Sequence, residues 1–108
     1  MKLLDAVTST ETPTNGWTVV ETRGQLPQLL GRTFQAYMTG TGAVSATVVI
    51  EVTNERAANR WLTLGTISLS GTTTATDGFA SSASWLYVRA RLTAVSGTSA
   101  AVTCVMGV

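Results

Sequence analysis

The sequence predicts an all-β fold, an antiparallel, jelly-roll-like β-sandwich of seven to eight short strands forming one domain over residues 1–108. Three observations predict it. Thr and Val are abundant along the chain, and their β-branched side chains suit a half-buried pleated surface better than a helix. Ten glycines, most of them beside Thr, Ser or Asn, supply turn positions that need a positive φ. Apolar and polar residues alternate with the period of two that marks a strand. A chain of 108 residues buries roughly 60–70% of its unfolded surface, enough for one core.

The elements follow in order. Asn15-Gly16 is the preferred dipeptide of a two-residue type I′ hairpin turn, and it separates candidate strands at residues 7–12 and 17–22. Pro13 cannot donate to a ladder, which makes the first of these an edge strand. Residues 1–16 also read as an extended arm that reaches a neighbouring subunit. Residues 25–31, with Pro27, Leu26, Leu29 and Leu30, read as a loop or one helical turn that plugs an open end of the core. Residues 33–39 set Phe34, Ala36 and Met38 on one face. A turn at Gly40-Thr41-Gly42 then leads into residues 43–53, where Val44, Ala46, Val48, Ile50 and Val52 oppose Ser45, Thr47, Val49, Glu51 and Thr53. These two segments are expected to pair as a hairpin.

Residues 54–60 are polar and charge-dense, a solvated loop. The extended pattern resumes at Trp61, with Leu62 and Leu64 alternating and Gly65 marking a bulge. Residues 70–84, rich in Gly, Thr, Ser and Ala, read as the long connection by which a sandwich crosses between sheets. Asp77-Gly78 is its turn and Phe79 its one large anchor. Residues 85–95 alternate Leu86, Val88, Ala90, Leu92 and Ala94 against Trp85, Tyr87, Arg89, Arg91 and Thr93. Ser96-Gly97-Thr98 turns the chain into a last strand carrying Val102, Cys104, Met106 and Val108.

Composition narrows function as well as fold. The net charge is +1 and 12% of residues are charged, against a usual share of about 25%. A nucleic-acid partner would require a basic stripe, so none is expected. Low charge protects poorly against association and suits a protein that lives in an assembly. The chain has no His, which removes the commonest general base and the triads built on it. Its single cysteine, Cys104, cannot form an intrachain disulfide and reads as a buried, unreactive small side chain. Six carboxylates are scattered without the paired arrangement a glycosidase needs, and the closest pair, Glu51 and Glu55, falls on a strand end and in a loop. No Walker lysine and no calcium loop is present, so no catalytic residue, metal ligand or cofactor is expected. Met1-Lys2-Leu3-Leu4 is followed at once by Asp5, leaving no apolar signal core, and no run approaches the roughly 20 apolar residues of a membrane helix. Synthesis in the cytoplasm and no membrane partner are expected.

The candidate contact residues are aromatic and basic. Trp85 and Tyr87 share a strand face with Arg89 and Arg91, opposite the aliphatic face, and Trp, Tyr and Arg are the set enriched at interface hot spots. Arg56 and Arg60 beside Trp61 form another candidate patch, and Arg32 with Gln35 and Tyr37 a weaker one.

Several of these segments resemble a known family. They are Val48-Val49-Ile50-Glu51-Val52-Thr53-Asn54, Arg60-Trp61-Leu62-Thr63-Leu64-Gly65-Thr66-Ile67, Asp77-Gly78-Phe79, and the run from Trp85 to Thr98. Together, over about residues 33–108, they resemble a β-sandwich module recurrent in small structural proteins of tailed bacteriophages. That module carries a Gly or Asp turn before its central Trp; here Arg56-Ala57-Ala58 stands instead. The resemblance implies a virion component: a head decoration (cement) protein, homotrimeric, bound to the major capsid protein on the outer surface of the shell. Tail, neck or fibre components are similar. Trp61-Leu62-Thr63-Leu64-Gly65 also resembles discoidin-like sandwiches that bind sugars, which implies a carbohydrate-binding module with Trp61 or Trp85 as its stacking platform.

Overall fold

Long runs of β-branched and small residues, alternating in polarity, form long strands when both sides find partners. In a computed structural model, which describes residues 2–8, 19–21, 32–55, 60–82 and 85–107, there are five: β1 (Lys2–Val7), β2 (Val19–Glu21), β3 (Arg32–Thr53), β4 (Leu62–Ser81) and β5 (Tyr87–Gly107). All belong to one antiparallel sheet of order β1-β5-β3-β4, with β2 also paired to β5. The fold is all-β, and the described residues contain no helix. The seven to eight short strands of a jelly-roll are replaced by three strands of 20 to 22 residues and two short ones.

The long strands do not run straight. Twenty residues at about 3.3 Å each would extend some 66 Å, yet the longest dimension of the molecule is 40 Å. Each long strand bends near its middle. Gly42 in β3 has φ 73°, Thr73 in β4 has φ 62°, and Gly97 and Ser99 in β5 have φ 131° and 54°. The pairing register also shifts between Thr39 and Ala43 of β3. A line of left-handed residues thus crosses all three strands and folds the sheet back over itself.

Gly65 and Phe79 give the direct evidence. They lie fourteen positions apart on β4, yet a Cβ built on Gly65 would come within 2.5 Å of the Phe79 ring. The two halves of the strand therefore face each other. One half of the sheet contains residues 32–39, 74–81 and 100–107 with β1; the other contains residues 43–53, 62–72 and 87–96 with β2.

This arrangement corrects three expectations. Residues 33–39 and 43–53 are the two arms of one bent strand, not a hairpin. Residues 70–84 are not a crossover: those up to Ser81 belong to β4, whose second half pairs with residues 32–39. Residues 85–95 and the final strand are likewise one element, β5, starting at Tyr87. In every case the positive-φ residues bend a strand where a reversal was read. At the N-terminus, Lys2–Val7 is a strand on β5, reaching Val102 to Val105, while Val19–Glu21 pairs with Arg89 to Tyr87. Both run antiparallel to β5, so they run parallel to each other along its outer edge. The Asn15-Gly16 turn, Pro13 and residues 25–31 lie outside the described residues.

The core fills the space between the halves. From one side come Phe34, Met38, Val102, Cys104 and Met106; from the other Val48, Ile50, Ile67, Val88 and Leu92. Each such side chain contributes roughly 1.5–3 kcal/mol by burial. Phe34 stacks on Phe79 with ring centroids 5.1 Å apart, which seals the β4 side. On the β1 side, register shifts around Leu4 let the adjacent Leu3 and Leu4 both point inward, where strict alternation would expose one.

Candidate functional site

The strongest polar constellation forms where β3 and β5 pair near the end of β3. Ile50 and Val52 face the core, so alternation turns Glu51 to the opposite, outer face. Register then sets Glu51 beside Arg89 and Val49 beside Arg91. β2 pairs with β5 on its far side, placing Val19 opposite Arg89.

Glu51 is held by both arginines. Arg89 Nε donates to Glu51 Oε1 at 2.8 Å and Arg89 Nη2 lies 2.7 Å from the same oxygen. Arg91 Nη1 donates to Oε2 at 3.4 Å. The Arg89 guanidinium also lies over the Trp61 ring, 4.0 Å from its centroid, a cation–π contact that strengthens as water is excluded. Glu51 and Arg89 are buried, with 8% and 7% of their surfaces exposed, whereas Arg91 is half-buried. Burial lowers the pKa of Arg89; the hydrogen bond and charge of Glu51 oppose that shift, and the like charge of Arg91 adds to it.

The adjoining turn is fixed by its own side chains. Thr53 Oγ1 accepts from the Glu55 N–H at 3.0 Å and donates to the Glu55 carbonyl at 2.9 Å. Asn54 Oδ1 accepts from the Leu86 N–H at 3.1 Å, tying the end of β3 to the approach to β5.

The structure brings together three of the sequence-derived candidates, Trp61, Arg89 and Arg91, around a residue that sequence reasoning set aside. In the sequence Glu51 stands out only as the carboxylate nearest Glu55. The signal for its role was its place as the one acid on the outer face of a long strand, with two arginines on the outer face of another. Of the other candidates, Tyr87 shares the outer face of β5 with Arg89 and Arg91, and the rest of those described lie apart from it. Tyr87 is half-buried at the start of β5, opposite Thr53. Trp85 precedes the strand and packs against the core, so it does not extend the arginine face. Arg60 is exposed and 3.8 Å from Glu55. Arg56 lies outside the described residues. In the weaker patch Arg32 is buried, while Gln35 and Tyr37 are exposed.

No protein-family model matches the chain, and no curated protein or solved structure matches it either. Both oxygens of the Glu51 carboxylate are engaged by guanidinium groups, and the Arg89 guanidinium is packed on an indole, so these side chains satisfy one another. The arrangement ties β3, β5 and the start of β4 into one unit. Among the described residues no group of three His, Cys, Asp or Glu side chains is placed to hold a metal ion, and no helix is long and apolar enough to cross a membrane. Cys104 is fully buried, and burial pushes its thiol up to about 12, far from the low values of reactive cysteines.

Proposed function

We propose that this protein is a non-enzymatic structural subunit of a tailed-bacteriophage particle, a head decoration protein whose folded sheet acts as a two-layered sandwich. In this reading it binds the outer surface of the shell and bridges neighbouring copies of the major capsid protein. A ligand that binds only the assembled shell stabilises it by mass action, by about 2.7 kcal/mol at a hundred times its dissociation constant. The observation that carries the reading is how charge is distributed. The strongest ionic cluster is drawn into the body through Glu51 and Arg89, while the outer faces present Thr33, Thr39, Ser45, Thr66, Ser68 and Ser70, all exposed. A broad β-surface with little charge suits contact with other subunits, where charged side chains are depleted.

The carbohydrate-binding reading is less well supported. A stacking platform requires an open indole face, but Arg89 covers one face of Trp61 and Trp85 packs against the core.

Cryo-electron microscopy of the intact particle tests the proposal. Density for a 40 × 29 × 18 Å body on the outer shell at capsomer junctions is the expected result. Density confined to the tail or neck would replace the head assignment, and its absence from the particle would overturn the virion reading.

A further inference from the structure

An edge strand offers free N–H and C=O groups to any other chain, and soluble proteins blunt such edges with charge, proline, bulges or shortness. Most edges of this sheet are blunted in that way. β1 has six residues, two register shifts and a positive φ at Ala6. β2 has three residues. On the opposite side, β4 pairs only with β3 among the described residues, and its two halves differ. The half from Thr74 onward carries Asp77 opposite Ala36, which is fully buried. A charge is thus set at the rim of the apolar face, an arrangement that discourages strand addition. Residues 65–72 have no such guard. Their sequence, Gly65-Thr66-Ile67-Ser68-Leu69-Ser70-Gly71-Thr72, contains no charge and no proline, and it pairs with β3 without a break. Eight residues exceed the usual strand length of about 5–6.

We propose that residues 65–72 of β4 form a dimerisation edge, pairing antiparallel with the same segment of a second copy of this chain to make one continuous sheet. Three features favour a second copy over another occupant. A neutral segment meets itself without opposing like charges, whereas a charged arm would find no counter-charge on it. A two-fold axis sets the exposed Thr66, Ser68, Ser70 and Thr72 of one copy against those of the other, and Thr–Thr and Thr–Ser cross-strand pairs are favourable. The same axis brings together the edges beside Ile67 and Leu69, each buried within its own chain, so the apolar layer continues across the contact. Self-complementary two-fold interfaces are also the commonest kind. The contact is a property of the free chain and does not depend on the capsid reading. It is two-fold, in place of the three-fold assembly implied by the family resemblance.

Light scattering coupled to size exclusion tests it on the full chain at micromolar concentration. The expected result is a mass of two chains, reduced to one by Thr66→Lys with Ser68→Lys. Both side chains point outward, so the core is untouched; Ser70→Lys serves as a second variant if the double one does not fold. Ser45→Lys, exposed on β3 away from the edge, should remain dimeric. A monomeric or trimeric wild-type chain, or a dimer that survives all the lysine variants, would overturn the proposal. Binding to shells by a chain that is monomeric would overturn this inference and leave the capsid reading standing.

Discussion

Each half of the folded sheet buries a side chain that ionises to an anion, and the two are accommodated in opposite ways. In one half, Glu51 sits on the outer face with guanidinium groups at both of its oxygens. In the other, Cys104 sits in the apolar interior, where burial alone keeps its thiol protonated. A buried carboxylate needs a paired cation and hydrogen bonds, since an isolated buried charge is very costly. A thiol needs neither. The Glu51–Arg89 pair therefore sits where Trp61 adds a cover, while the half closed by β1 buries the apolar Phe34, Met38 and Met106 together with one cation, Arg32.

The largest effect should come from breaking the ionic half. Glu51→Ala leaves Arg89 buried beside the like charge of Arg91, and loss of one partner of a buried pair costs about 3–5 kcal/mol. Urea unfolding should show that loss of free energy as a lower midpoint at constant slope. A loss below about 1 kcal/mol, the range of exposed pairs, would mean that the cluster behaves as surface charge. Glu51→Leu combined with Arg89→Met should recover part of the stability, because the buried cation goes with its partner.

Second in size is the contact between the halves. Gly65→Ala puts a methyl group into the Phe79 ring, an overpacking that costs about 1–3 kcal/mol. Adding Phe79→Leu should relieve it, giving a favourable coupling of at least about 0.5 kcal/mol in a double-mutant cycle. Strict additivity would argue that the halves do not touch at this point.

How much of this was legible in the sequence depends on the distance over which each fact is encoded. Alternation is local, and it assigned Phe34, Ala36, Met38, Val48, Ile50, Val88, Val102 and Cys104 to one face; all are buried. Chain reversal is only partly local. The glycines at 42 and 97 mark departures from regular extension, but a positive φ can reverse a chain or bend a strand, and which one occurs depends on the neighbouring strands. Residues 70–84 looked like a connection because Gly, Thr and Ser are common in turns. Up to Ser81 they are strand, because β3 supplies partners about forty residues away in sequence. The Glu51–Arg89 pair was hidden for the same reason. Alternation put both on outer faces, and only the register between β3 and β5 makes them neighbours.

The apolar half yields a pH prediction. The Cys104 thiol is raised from its ordinary value of 9.0 to about 12, so the folded state binds a proton that the unfolded state releases first. The stability this represents is fully present below about pH 9 and falls as pH rises towards 12, by about 1.4 kcal/mol for each unit in between. Other groups titrate in this range too, so the informative quantity is the difference between wild type and Cys104→Ala. That difference should be constant below pH 9 and shift in favour of the variant above it. A pH-independent difference would show that the thiol is not held protonated by the fold.

The smallest effect tests whether position, more than the mere presence of opposite charges, governs the ionic half. Arg60 and Glu55 approach to 3.8 Å, but both side chains are largely exposed. Exposed pairs of this kind are screened by water and salt and carry the entropy of two long side chains. Arg60→Ala should therefore change the unfolding free energy by no more than about 0.5 kcal/mol, and raising the salt concentration should erase even that. The contrast with Glu51→Ala is the point of the measurement. The two sites belong to the same end of β3, four residues apart, and differ in whether the sheet excludes water from them. If Arg60→Ala were as damaging as Glu51→Ala, burial would not be what gives the Glu51–Arg89 pair its weight, and the argument for an internal structural clamp would fail with it.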